Sequence, residues 1–204
     1  MNVLENMESS NGRTGAEKER LELYVPCRED GWFYVRLMSD PATMSYNSPW
    51  LPPDGCIQDP ESGWNDILSG WIGREPERFY AFLRRKPDGA FVGDVNYHRN
   101  HELDRHDMGI VIFAQERGKG YGKQGLRLLL DKALLTDGIH LLHNDFENSR
   151  TAACRIHRDC GFRDTGVTNG MIGFDITREE YRSTIPEDGR GMDCRPVSEK
   201  SQCP

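Results

Sequence analysis

A basic, glycine-rich stretch is the part of this sequence best suited to binding a ligand. Residues 115–125 read Gln-Glu-Arg-Gly-Lys-Gly-Tyr-Gly-Lys-Gln-Gly. Glycine lets the backbone turn tightly and approach a ligand without a Cβ in between, and free N–H groups at a helix start attract phosphate. Arg117, Lys119 and Lys123 add positive charge to a chain whose net charge is −7. The stretch therefore predicts a site for a small polyanion.

Two other phosphate motifs fit this stretch poorly. Gly120, Gly122 and Gly125 have the spacing G-x-G-x-x-G of the dinucleotide fingerprint, and Asp145 follows downstream. The first of these glycines lies six residues after Ala114, where the preceding strand ends, whereas the fingerprint needs it in the immediate turn. The P-loop also fails, because the glycine-lysine pair is followed by a glutamine without a hydroxyl group. A dinucleotide-binding oxidoreductase is kept only as an alternative.

The elements around the stretch define a fold class. Apolar alternation predicts strands over 21–25, 78–85, 90–98, 106–114, 139–146, 162–168 and 170–176. Helical spacing predicts helices around 33–38, 61–73, 126–134 and 149–160, and a short last helix that begins at a capping box of Thr177 and Glu180. Antiparallel hairpins come first, and one β-α-β crossover follows. This order predicts a mixed, mostly antiparallel sheet flanked by helices, a three-layer α/β sandwich.

Composition restricts the domain organisation and the partners. Residues 1–20 and 185–204 are polar without an apolar period, and we expect them to be mobile tails on one domain over 21–184. The acidic net charge argues against nucleic acid and anionic membranes as partners. No apolar run is long enough to span a bilayer, and the first residues do not resemble a signal peptide.

The cysteine and histidine patterns predict no metal site and no disulfide framework. The six cysteines lack CxxC spacing, so we expect reduced thiols in a cytoplasmic protein. His98, His101 and His106 are irregularly spaced, and we expect no metal there.

Two motifs occur here in the order and context of a known enzyme family. After the strand MGIVIF, residues 117–122 match the motif R/Q-x-x-G-x-G/A. Residues 152–162, AACRIHRDCGF, are similar to an A-x-x-x-Y-x-x-x-G-F element. Together they resemble the GNAT acetyltransferase family over about residues 21–182. Residues 39–44 are similar to the N-terminal helices of members that acetylate protein N-termini and small amines.

The resemblance implies that acetyl-CoA is the co-substrate. Its pyrophosphate would lie on the amides of the loop, and its pantetheine arm would pair with the backbone of the preceding strand. The cofactor-binding residues expected on this basis are Ile112, Phe113, Arg117, Gly118, Lys119, Gly120, Tyr121, Gly122, Lys123 and Asn148. Asn148 is included because the family usually has an asparagine just before the helix predicted over 149–160. The position that matches this asparagine holds Arg150.

The resemblance also predicts catalytic residues. His157 stands where the family often has a tyrosine that acts as general acid, and histidine can donate a proton near neutral pH. We favour Asp145 as the general base because it follows the strand after the cofactor loop. Asp107 and Asp94 are alternatives, and a water chain is another.

The expected reaction is direct transfer of the acetyl group to a primary amine, on a small molecule or a protein N-terminus, in a ternary complex. Tyr46 and Trp50 are candidates for a wall of the acceptor site. The acidic composition favours cationic acceptors, and a homodimer is left open. The alternative is a GNAT-like module that binds acyl-CoA without turnover, because His157 and Arg150 depart from the family pattern.

Overall fold

A computed structural model describes residues 20–48, 50–51 and 53–185 of the chain. Except for Arg20 and Ile185, the two expected tails lie outside the described residues, so the division into one domain and two tails stays a prediction. No helix in the described part of the chain is long and apolar enough to cross a membrane.

The strands and helices of the described chain occur in the predicted order, with one additional helix. The strands are β1 Leu21–Tyr24, β2 Arg78–Arg85, β3 Phe91–Asn100, β4 Arg105–Ile112, β5 Leu141–Glu147, β6 Arg163–Thr168 and β7 Met171–Thr177. The helices are α1 Gly31–Met38, α2 Pro41–Met44, α3 Pro60–Gly70, α4 Tyr121–Leu130, α5 Thr151–Asp159 and α6 Arg178–Thr184. A π-helical turn, Asp131–Thr136, continues α4. The capping box at the start of α6 is confirmed.

The addition is α2, which the sequence pattern did not predict. Asp40 and Pro41 indicate a helix end, because the residue before proline avoids helical conformation. In the structure the same two residues also begin a helix. The Asp40 carboxylate accepts a hydrogen bond from the Thr43 amide at 2.9 Å, and proline occupies the first helical position.

The seven strands form one sheet that is interrupted at its centre. Their order is β1-β2-β3-β4-β5-β7-β6, and the β4–β5 pair is the parallel one. These two strands are paired only at His106 with Leu142 and at Asp107 with His143. Beyond these pairs β4 stays on β3 as far as Ile112, opposite Gly93. The sheet therefore opens into a cleft between β4 and β5.

Helices cover both faces of the sheet and confirm the predicted three-layer class. Alternate residues of β2 point to opposite faces, so Leu83 packs in a core with Leu126 of α4, whereas Phe82 packs under α1 and α3. Phe82 contacts Phe33 edge-on, with ring centroids 5.1 Å apart, and stacks on Trp64. These two cores fix the helices on either side of the cleft.

Gly125 brings α4 close to the sheet. A Cβ at this position would lie 2.5 Å from a methyl carbon of Leu83, so a larger residue would push the helix away from β2. The start of α4 lies next to the end of β4, because a Cβ at Gly122 would lie 3.9 Å from a side-chain carbon of Ile112.

Candidate active site

A cavity of about 1360 Å³ occupies the cleft between β4 and β5. Residues from β3 and β4, from β5 and α5, and from the helices of the N-terminal part line it. The predicted site residues in its lining are Ile112, Arg117, Gly118, Gly120, Tyr121, Gly122, Lys123, Asp145 and His157. The cleft thus brings together most of the predicted cofactor residues and both predicted catalytic residues.

Three predicted cofactor residues are not among the described residues that line the cavity: Phe113, Lys119 and Asn148. The backbone of Phe113 is engaged on both sides, because its amide donates to the Val92 carbonyl and its carbonyl accepts from the Glu116 amide. Asn148 is exposed, and its backbone N–H donates to the Gly170 carbonyl. Contacts of these residues with a cofactor stay predictions.

The glycine loop presents a row of backbone amides. Gly118 and Gly120 have φ angles of +77° and +82°, which glycine adopts at little cost. Gly120 is the N-cap of α4 and offers no side chain to the first helical turn. Among the described residues, none accepts a hydrogen bond from the amides of 118–123. Such free amides at a helix start fit an anion, and pyrophosphate in particular.

The cations of the loop are already engaged by other protein groups. Lys119 contacts Glu116 at 2.9 Å, and Lys123 contacts Asp159 at 2.9 Å. The sequence predicted positive side chains at an anion site. Because both ammonium groups have carboxylate partners, the backbone amides and the helix dipole are the uncompensated attraction for an anion.

The guanidinium of Arg117 connects the loop to α2. It donates to the carbonyls of Ala42, Thr43 and Ile112 at 3.1, 2.8 and 3.2 Å. The hydroxyl of Thr43 completes the connection, since it accepts from the Ala114 amide at 2.8 Å and donates to Asp40. Thr43 is fully buried, and sequence reasoning missed it. Its place in an Asp-Pro-x-Thr cap was the available signal.

His157 is buried among aromatic rings with both ring nitrogens bonded. Nδ1 lies 2.9 Å from the Ala153 carbonyl, which can only accept, so Nδ1 carries the hydrogen. Nε2 then accepts from the side-chain amide of Asn144 at 2.9 Å. Burial lowers the pKa of His157 to about 4. A neutral ring that holds Asn144 favours a positioning role, and proton donation by His157 stays a prediction.

The three carboxylates considered as a base have different surroundings. Asp145 is an exposed residue of β5 at the cavity lining. Asp107 is bonded to Arg105 and Asn100, each at 2.7 Å. Asp94 lines the cavity and has no exposed surface. The structure therefore separates one buried carboxylate from two that are solvated or paired.

Asp94 has one bonded and one unbonded oxygen. Oδ2 accepts from the Tyr80 hydroxyl at 2.8 Å, whereas Oδ1 is buried and has no partner among the described residues. Burial raises the pKa of Asp94 to about 7, although the hydrogen bond from Tyr80 acts in the opposite direction. Asp94 can therefore exchange a proton near neutral pH.

Arg150, the N-cap residue of α5, bridges the cleft. Its guanidinium lies 4.7 Å from the ring centroid of Tyr46 and 5.2 Å from that of Phe146. The two contacts connect the N-terminal part of the chain to the end of β5. Burial and the charge of Asp94 raise the pKa of Tyr46 to about 12, against the effect of Arg150. Tyr46 is thus within electrostatic reach of both charges.

Comparisons with known proteins agree with this architecture. The family model of the acetyltransferase (GNAT) domain matches residues 20–163. A GNAT-family acetyltransferase from Bacillus anthracis has a TM-score of 0.64 at 17% identity and covers 79% of this chain and 96% of that chain. Spermidine N-acetyltransferase from Vibrio cholerae, in complex with CoA and spermine, has a TM-score of 0.64 at 19% identity and covers 80% and 98%. No curated protein matches.

Proposed function

The chain belongs to the GNAT family of acetyltransferases, and we propose that it transfers the acetyl group of acetyl-CoA to a primary amine. The acceptor is a small molecule or a peptide N-terminus. GNAT acetyltransferases use acetyl-CoA, and one observation supports its use here. A row of free amides at 118–123 lies at the start of α4, beside a cleft that leads between β4 and β5.

We place the pyrophosphate of the cofactor on these amides and its pantetheine arm along β4. Peptide groups of adjacent residues in a strand point to opposite sides. Since the backbone N–H of Phe113 points to Val92 on β3, the N–H and C=O of Ile112 point to the side away from β3, where the C=O accepts from Arg117. The Ile112 amide can therefore pair with the arm or stabilise negative charge on the reacting carbonyl oxygen.

The residues of the chain have three tasks in this proposal. The loop holds the cofactor, the cleft excludes water, and a carboxylate receives the proton of the amine. A thiol has a pKa of about 8.5, so the thiolate is a tolerable leaving group. His157 holds Asn144 in the wall of the cavity, and a direct transfer needs no covalent bond to the protein.

Calorimetric titration with acetyl-CoA tests the loop assignment. In Gly118→Asp a carboxylate faces the proposed pyrophosphate, and we expect affinity to fall about tenfold or more, equivalent to about 1.4 kcal/mol of repulsion. Gly89→Asp is a matched control in the hairpin between β2 and β3. Its φ of +71° is close to the +77° of Gly118, and a Cβ at either position meets nothing within 4 Å. Equal affinities of the two variants would contradict the assignment.

Release of free thiol with a panel of primary amines tests the transfer itself. We expect thiol release that requires both acetyl-CoA and an amine. Tight cofactor binding without release from any amine would identify the non-catalytic acyl-CoA-binding module instead. Cytoplasmic location and a homodimer also stay predictions, and cell fractionation and light scattering test them.

A further inference from the structure

We propose that Asp94 binds the ammonium group of the acceptor and takes its proton, and that the walls around Asp94 select a primary amine on an apolar or aromatic body. The proposal rests on the acetyl transfer proposed above and assigns the acceptor end of the same cavity. The role of Asp94 follows from its burial and from its hydrogen bond to Tyr80.

Asp94 has a carboxylate oxygen that can still accept hydrogen bonds. The side chain is fully buried at the lining of a large cavity, and Oδ1 has no hydrogen-bond donor among the described residues. Buried polar atoms in folded proteins are nearly always bonded, because an unpaired one costs free energy. A primary ammonium carries three N–H donors and a positive charge, so it can satisfy Oδ1 and compensate the buried carboxylate once the side chains that cover Oδ1 move aside.

The groups that face Asp94 leave its charge uncompensated until an amine binds. Tyr80 of β2 donates to it, while Tyr34 of α1 and Tyr46 in the turn after α2 are within electrostatic reach. All three are phenols that stay protonated near neutral pH. On its own strand Asn96 is the next residue on the same face, and the facing residue of β4 is Val111. Burial therefore dominates, and it raises the pKa of Asp94 to about 7.

The walls around Asp94 are apolar and aromatic. Tyr34 and Tyr80 contact each other with ring centroids 6.3 Å apart, and they line the cavity together with Met38, Ile67 and Trp71. These side chains would cover an apolar body attached to the amine. Asp66 is a second carboxylate within electrostatic reach of Tyr34, but it is not among the described residues that line the cavity.

A polyamine fits this arrangement less well than a monoamine. Of the other acidic residues at the lining, Glu116 and Asp159 are paired with lysines. Asp145 and Glu147 belong to β5, on the other side of the cleft, and Glu147 Oε2 is also buried without a partner among the described residues. The guanidinium of Arg150 lies on Phe146 at that side. The positive charge of Arg150 opposes a second ammonium at that side.

The proposed step balances in atoms and charge. The bound ammonium gives one proton to the Asp94 carboxylate, and the freed nitrogen lone pair attacks the thioester carbonyl carbon. The C–N bond forms and the C–S bond breaks, and the second proton of the nitrogen ends on the thiolate sulfur. Asp94 then releases its proton to solvent. The products are the acetylated amine, the free thiol of CoA and one proton.

The test compares two acceptors and two matched variants in the full chain. With acetyl-CoA saturating, free-thiol release gives kcat/KM for 2-phenylethylamine and for spermidine between about pH 6 and pH 9. We expect 2-phenylethylamine to be favoured by about tenfold or more. Asp94→Asn should lower kcat/KM by about 100-fold or more and remove the fall in activity below pH 7, with the affinity for acetyl-CoA unchanged. Glu102→Gln, an exposed residue with the same change in charge, should behave as the wild type.

Several results would overturn the proposal without touching the proposed function. These are full activity of Asp94→Asn, loss of activity in Asp145→Asn alone, or preference of the wild type for spermidine or another polycation. Absence of thiol release from every amine with the wild type would instead refute the acetyl transfer itself. Should Asp94→Asn fail to fold, Tyr80→Phe removes only the bonded hydroxyl, and the pH midpoint of kcat/KM should then rise. An unchanged midpoint would contradict the role of Asp94.

Discussion

Asp94→Asn should change how the stability of this protein depends on pH, even without cofactor or substrate. An ordinary aspartate has a pKa of about 3.9, whereas burial raises the pKa of Asp94 to about 7 in the folded protein. Between these values the unfolded chain has lost the proton that the folded chain still binds. Rising pH therefore favours unfolding over this window, and the effect levels off above the folded pKa.

The magnitude follows from the width of the window. Over the roughly two units from pH 5 to pH 7, the wild type should lose about 2 kcal/mol through this group alone. Asparagine keeps the size of the side chain and an oxygen to accept from Tyr80, but it does not titrate. The free energy of unfolding of Asp94→Asn should therefore rise relative to the wild type by this amount over the same interval.

Urea denaturation of both proteins at several pH values measures the difference. Because all other titrating groups are shared, subtracting the two curves isolates Asp94. Glu102→Gln, which changes an exposed carboxylate, should give a difference curve that is flat. A flat difference curve for Asp94→Asn as well would refute the perturbed pKa, and with it the physical reason for a base at this position.

Three further substitutions test other parts of the site. Thr43→Val removes the acceptor of the half-buried Ala114 amide, so urea denaturation should show a loss of about 1 kcal/mol. Arg150→Asn removes the cation between Tyr46 and Phe146, and the ratio of kcat/KM for spermidine to that for 2-phenylethylamine should rise. An unchanged ratio would show that Arg150 does not select acceptors. His157→Phe should keep the wild-type pH profile of kcat between about pH 6 and pH 8, because the pKa of His157 is lowered to about 4. If the wild-type kcat instead falls at high pH and this fall is absent in His157→Phe, His157 acts as the general acid.

The cofactor end of the site could be predicted from sequence because its parts are local. The strand, the glycine loop and the helix are consecutive, and a helix start gives free amides whatever the rest of the fold does. The order of the other elements followed from apolar periodicity, which records how each element is covered. Apolar periodicity could not predict α2, because a helix of four residues is shorter than two turns and shows no repeat.

The acceptor end could not be predicted because its parts are distant in the chain. The alternation of side chains predicts that Asp94 and Asn96 lie on one face of β3. It does not predict which helices cover that face. The coverage by α1 and α3 buries Asp94, while Asp145 on β5 stays exposed. Arg117 is a similar case, because the carbonyls that hold its guanidinium include that of Ala42, 75 residues away. The fold uses Arg117 to join the loop to α2, and its contact with the cofactor stays a prediction.

The most direct test of acetyl transfer in this cleft is the rate of thiol release from acetyl-CoA with 2-phenylethylamine at subsaturating cofactor. The wild type and Gly89→Asp should release thiol at similar rates that depend on the amine, and Gly118→Asp should be slower by about tenfold or more. Equal rates in all three proteins, or no release by the wild type with any amine of the panel, would contradict the assignment of the loop and the cleft as the site of transfer.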